Sequence, residues 1–220
     1  MKIGLVTIGQ SPRTDILKDI EPVLKQDNIE SIECGALDGL SMSEINSLEP
    51  EPDKDHILVT RLLDGTEVKL SRSKIIPMMQ NCISKLEGKV DAIVILCTGE
   101  FPELKSQNLL IEPSTVLTKL VEAISPDVSL TLLIPSSDQE EELRSKWKNR
   151  KDTTIVAISP YTSSPEDFKN KLEGIDAGQL VIMDCFGYTS QMKEITKNTL
   201  RRPVILPRTL VARLIGEIAR

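Results

Sequence analysis

Residues 94–101 read VILCTGEF and residues 181–188 read VIMDCFGY. Each stretch is an apolar, β-branched run that ends in a cysteine, with a glycine just behind it. Such runs are buried strands, and ligands of open parallel sheets gather beyond the carboxyl ends of strands. Cys97 and Cys185 would stand at two such ends. A lone buried cysteine is usually a small hydrophobe, but two at matching strand ends suggest a shared task. A helix N-terminus soon after each would favour the thiolate. Across a cleft, one thiol could remove a proton from a carbon next to a carboxylate while the other delivers a proton to the opposite face. Inversion would follow without a metal or organic cofactor. The developing enolate needs preorganised N–H and O–H donors.

Donor candidates stand at the other strand ends. TIGQSPRT supplies Thr7, Gln10, Ser11 and Arg13, and CTG supplies Thr98 and Gly99. IPSS supplies Ser136 and Ser137, and CFGYT supplies Gly187, Tyr188 and Thr189. Small hydroxyls and backbone amides suit a small carboxylate metabolite at a helix N-terminus. Structural readings compete. Ser11-Pro12 reads as an N-cap with proline in the first turn, and Ser137 with Glu140 as a capping box. Cys82 falls on the apolar face of a helix, and Cys34 closes a short strand; both read as core. Asp184 reads either as tuning Cys185 or as making a plain polar contact. His56, the one histidine, reads as a loop residue.

The elements that must position these residues alternate. Strand candidates are 3–9, 31–34, 56–62, 91–97, 129–135, 153–159, 179–185 and 203–207. Between most of them, helical spacing places Ile16 with Ile20 and Leu24, Ile75 with Met79 and Ile83, and Leu117 with Val121. This is an α/β pattern of βαβ units with mostly parallel sheets. It splits into two similar four-stranded lobes, 1–125 and 126–220, with a boundary at Ser125-Pro126-Asp127. Residues 35–71, rich in Gly, Ser, Pro and acids, read as an inserted loop and flap, with a hairpin turn at Asp64-Gly65. The last helix, 208–219, is expected to pack back on the first lobe.

Composition narrows the function classes. The 220 residues are 40% hydrophobic and 27% charged with a net charge of −6, an ordinary globular balance. The densest basic cluster, RSKWKNRK at 144–151, follows the acidic DQEEEL and reads as a solvated helix with its macrodipole complemented. Nucleic-acid binding is not expected, and neither GxxxxGK[ST] nor GxGxxG occurs. No signal peptide or membrane span is read, so a cytoplasmic protein is expected. Four cysteines without CxxC spacing predict free thiols. A C2 homodimer is the default assembly.

MKIGLVTIGQSPRTDIL, the EPS of 112–114, VIMDCFGY and PRTLVARLIGEIA together resemble the AroM family, over essentially the whole chain. AroM proteins are similar to the aspartate/glutamate/hydantoin racemase superfamily. The resemblance implies two α/β lobes related by a pseudo-twofold axis and a cofactor-free cysteine pair at strand ends. It assigns Cys97-Thr98 to the first catalytic element and Cys185 to the second. Residues 7–14 would be the substrate-binding turn, and Ser136-Ser137 the turn that opens the second lobe. Where many racemases carry Cys-Asn-Thr and Cys-Thr-His, this chain has Cys97-Thr98-Gly99 and Cys185-Phe186-Gly187. That departure leaves open a single-thiol decarboxylase or cis–trans isomerase, or a non-catalytic binder or regulator.

Overall fold

The computed structural model describes residues 1–51, 55–124, 127–148 and 152–220. The first half runs β1 (Lys2–Thr7), α1 (Thr14–Gln26), β2 (Glu30–Gly35), α2 (Met42–Asn46), β3 (Ile57–Arg61), β4 (Glu67–Ser71), α3 (Arg72–Leu86), β5 (Ala92–Ile95), β6 (Leu109–Ile111) and α4 (Pro113–Ile124). The second half runs β7 (Leu130–Ile134), a 3-10 turn (Ser137–Gln139), α5 (Glu140–Lys146), β8 (Thr153–Ala157), α6 (Pro165–Leu172), β9 (Leu180–Met183), α7 (Ser190–Leu200), β10 (Val204–Ile205) and α8 (Pro207–Ala219).

Two four-stranded parallel sheets result, ordered β2-β1-β5-β6 and β10-β9-β7-β8. With the β3–β4 hairpin set aside and strands counted within each half, both sheets run 2-1-3-4. The third strands, β5 and β9, are the ones that lead to the two cysteines, and all four residues of each are buried.

Side chains alternate across a strand. Val6, Ile93 and Ile95 therefore meet Ile75, Met79 and Ile83 of α3 on one face of the first sheet. Ile3, Leu5, Ala92 and Val94 meet Ile16, Ile20 and Leu24 of α1 on the other, together with Val211, Ala212 and Ile215 of α8. The chain's last helix thus packs on its first sheet. α4 does the reverse, placing Leu117 and Val121 against Leu130, Leu132 and Ile134 of the second sheet. Each buried aliphatic contributes about 1.5–3 kcal/mol of transfer free energy, so this exchange of helices makes the halves mutually dependent.

Several expectations are corrected. HILVTRL is not a strand of the parallel sheet; its residues 57–61 form the antiparallel hairpin with β4. The fourth strand of the first sheet is β6, whose three residues are too short to show a periodicity. Cys34 and Cys82 are not free: β2 and α3 bring their Cα atoms to 5.6 Å and the sulfurs form a disulfide. Spacing along the chain carries no information about that contact. Arg13, not Ser11, flanks the start of α1, and it makes no side-chain cap bond. Ser136, not Ser137, caps the 3-10 turn by accepting from the Asp138 N–H. Of the basic cluster, Lys146 and Trp147 turn inward, and 149–151 lie outside the described residues. So do Ser125 and Pro126 of the expected boundary. Among the described residues, no helix is long and apolar enough to cross a membrane.

Candidate active site

The two thiols occupy equivalent local structures. β5 ends at Ile95 and the chain turns through Cys97, Thr98 and Gly99; β9 ends at Met183 and the chain turns through Cys185, Phe186 and Gly187. In each turn the glycine two residues on donates its N–H to the sulfur, at 3.4 Å for Gly99 and 3.2 Å for Gly187. The glycines allow a close approach: a Cβ at Gly187 would lie 2.5 Å from the Tyr161 ring, and one at Gly99 would lie 3.1 Å from Phe101. Phe186 packs into the core of the first half, so the second thiol loop is anchored across the lobe boundary.

Cys97 and Cys185 line one cavity between the lobes, with Thr98, Gly99, Lys146 and Asp184 on its wall. Its free volume is about 30 Å³, space for about two waters and too little for a metabolite. Ile57, Leu58 and Val59 of the β3–β4 hairpin form part of the lining. Polar contacts hold the hairpin to the second half. Gln139 Nε2 donates to the Ile57 carbonyl at 2.9 Å, Lys69 pairs with Asp138, Ser159 donates to Glu67, and His56 faces Glu142 at 3.3 Å. The site is therefore covered by a hairpin tied to the second half through polar pairs, of which Lys69–Asp138 is exposed and the Gln139 and Ser159 contacts are part-buried.

Burial pushes the Cys97 thiol up to about 12 and the Cys185 thiol up to about 11. At Cys97 the Gly99 N–H and Lys146 partly offset burial, while Cys185 adds to it. At Cys185 the Gly187 N–H, Tyr161, Arg13 and Arg208 offset it. The expected helix-terminus thiolates are not found. The helix after Cys97 is α4, which starts only at Pro113 beyond β6. α7 does follow Cys185, at Ser190, but desolvation dominates there.

Among the residues read from sequence, Cys97, Thr98, Gly99, Asp184 and Cys185 meet at the cavity. The others sit behind or beside it. Arg13 is buried and forked onto Asp15 at 2.8 and 2.7 Å, and its remaining nitrogen donates to Thr7 and Thr60. Burial lowers its pKa, but Asp15 and Tyr161 outweigh that and hold it above the usual arginine value. Ser11 is bound by Asp38, and Gln10 accepts from the Leu63 N–H of the hairpin turn. Ser136 donates to Asp138, and Ser137 is exposed. Tyr188 donates to the Ile158 carbonyl in the core, and Thr189 caps α7. Gly187 serves the thiol through its N–H.

Sequence reasoning missed Lys146, Tyr161 and the hairpin residues. Tyr161 lies 4.0 Å from the Cys185 sulfur, and burial holds its hydroxyl well above the ordinary tyrosine value. Lys146 had one available signal. Leu143 and Trp147 are four apart inside the charge run, which marks an apolar stripe on α5.

A family model described as AroM protein matches residues 3–219. The chain belongs to the AroM family. No curated protein sequence is significantly similar to it. Solved structures share the fold at low identity. Picrophilus torridus aspartate racemase has a TM-score of 0.60 at 15% identity, covering 99% of this chain and 94% of that one. The maleate isomerase Iso from Pseudomonas putida has a TM-score of 0.61 at 10% identity, covering 99% and 92%. Unliganded arylmalonate decarboxylase has a TM-score of 0.58 at 12% identity, covering 98% and 92%. This AroM-family chain thus has a racemase-like α/β fold, which a racemase, an isomerase and a decarboxylase share.

Proposed function

We propose that this chain is a cofactor-independent racemase, epimerase or isomerase acting on a small carboxylate-bearing metabolite, with Cys97 and Cys185 as the proton-transfer pair. One observation carries the reading. The two free thiols follow equivalent third strands of the two halves and line the same cavity. In the reaction, one sulfur enters as thiolate and takes the proton from the carbon next to the carboxylate. The electron pair passes into the enolate. The opposite thiol gives its proton to the other face and becomes the thiolate. Atoms and charge balance over the cycle, with the roles of the sulfurs exchanged.

Burial supplies the needed basicity. A thiolate formed while the flap is open and the site is wet becomes a stronger base once closure removes water, because desolvation disfavours its charge. Thr98 and Gly99 line the cavity beside Cys97, and the Gly99 N–H donates to its sulfur. The test is deuterium wash-in: a panel of amino and hydroxy acids is incubated with the protein in D₂O and the α-proton followed by NMR. Exchange that is lost in both Cys97→Ala and Cys185→Ala is the expected result. Exchange needing one thiol alone points to the single-thiol chemistry. No exchange on any compound, with ligand-induced thermal stabilisation surviving both substitutions, points to a binder.

A further inference from the structure

We infer that Lys146 is a positioning residue that joins the two thiol loops and supplies the cationic charge facing Cys97, an inference that rests on the thiol-pair reading above. Its Nζ donates to the Thr98 carbonyl at 2.9 Å and to both Asp184 oxygens at 2.9 and 3.0 Å. Thr98 is the residue after Cys97, and Asp184 is the residue before Cys185. A single ammonium therefore spans from the first thiol's loop, in the first half, to the second thiol's strand end. Asp184 is fixed from another side by the Trp147 indole N–H at 2.9 Å.

The pair is buried, with 3% of the Lys146 side chain exposed and 0% of that of Asp184. Removing two charges from water costs several kcal/mol each, and a well-packed apolar pair of the same volume would serve stability as well or better. A purely structural role therefore explains this pair poorly. Its location explains it better. Among the described residues, Lys146 is the one cation lining the thiol cavity. The groups that face Cys97 are otherwise anionic or neutral: Glu100 on its own loop, Glu142 on α5, Asp184 and Cys185 beyond β9, and apolar Ile57–Val59 from the hairpin. His56, from the same hairpin, faces Glu142. Arg13 and Arg208 act on the Cys185 side. Lys146 offsets burial at Cys97, whereas the two arginines do so at Cys185.

The test is site-resolved iodoacetamide labelling by mass spectrometry across pH, on the full-length chain as Lys146→Met, Lys146→Arg and Asp184→Asn. In Lys146→Met the Cys97 labelling rate at pH 9 falls about threefold to tenfold and its pH curve moves upward, as expected on losing a nearby opposite charge. Lys146→Arg keeps the charge and restores the curve. Asp184→Asn leaves the ammonium without its counter-ion and moves the Cys97 curve downward. Cys185 labelling changes less than Cys97 labelling in each case. A Cys97 curve in Lys146→Met that superimposes on that of the unsubstituted chain overturns the assignment, as do equal shifts at both thiols. Should Lys146→Met fail to fold, the unshifted Cys97 curve expected of Lys146→Arg and the downward shift expected of Asp184→Asn decide, and an unshifted curve in Asp184→Asn overturns the assignment. Labelling needs no substrate, so a shifted curve without deuterium exchange sustains the clamp and sinks the reaction, while exchange with an unshifted curve does the reverse.

Discussion

Arg208→Leu should destabilise this fold by about 3–5 kcal/mol, the range seen when one partner of a buried charge pair is removed. Arg208, on α8, is 0% exposed and reaches two other elements, α1 and the second thiol loop. Nε and Nη2 donate to the Phe186 carbonyl, and Nη1 donates to the Asp15 carbonyl at 2.9 Å and to Asp19 Oδ2 at 2.7 Å. Leucine leaves the Phe186 carbonyl without these donors, and an unmet buried polar group costs about 1–3 kcal/mol. It also strips Asp19 of its cation. That carboxylate keeps the Ser190 N–H at 3.1 Å and is 14% exposed, so water recovers a share of the loss. Removing both charges should cost less than the sum of the single changes. Asp19→Asn combined with Arg208→Leu is expected to show a coupling of about 1–3 kcal/mol, as contacting charges do. Urea unfolding followed by circular dichroism measures all three variants. A loss under about 1 kcal/mol in Arg208→Leu, or strict additivity in the double variant, would refute the view that this arginine fastens α1, α8 and the second thiol loop together.

Three further outcomes are expected. Both thiol pKa values are raised in the folded chain, so the thiols favour folding while protonated, and that contribution is lost as pH rises. Stability should fall from about pH 9 toward the folded values of about 11 and 12, by about 1.4 kcal/mol per pH unit per thiol. Urea midpoints measured across that window should flatten in Cys97→Ala and Cys185→Ala. Lys69→Ala, which cuts an exposed hairpin tether, should cost under about 1 kcal/mol yet raise Cys185 labelling several-fold; unchanged labelling would mean that the hairpin does not gate the cavity. Reducing the Cys34–Cys82 bond, which closes a segment of sequence separation 48 containing the whole hairpin, should lower stability by about 2–4 kcal/mol. Iodoacetamide on the unfolded, unreduced chain should label two cysteines, and four after reduction.

The sequence by itself determined the α/β alternation, because buried parallel strands must be apolar throughout and their covering helices must carry a stripe. It also determined that Cys97 and Cys185 each follow an apolar strand, because VILC and VIMDC repeat one local pattern; that both strands are third in their sheets emerged only once residues 57–61 left the parallel sheet for the hairpin. Contacts between segments distant in the chain were decided only by the tertiary structure. The Cys34–Cys82 bond, the exchange of α4 and α8 between sheets, and the hairpin roof each depend on which faces meet. No local periodicity encodes that. Arg13 shows the same limit: its type suggested a carboxylate ligand, and the fold forks it onto Asp15. Lys146 shows the converse, since a lysine in a charge run reads as solvated until Trp147 and Leu143 turn that face of α5 inward. The protonation of the thiols was likewise a tertiary matter, because it follows from how much water the closed flap leaves around each sulfur.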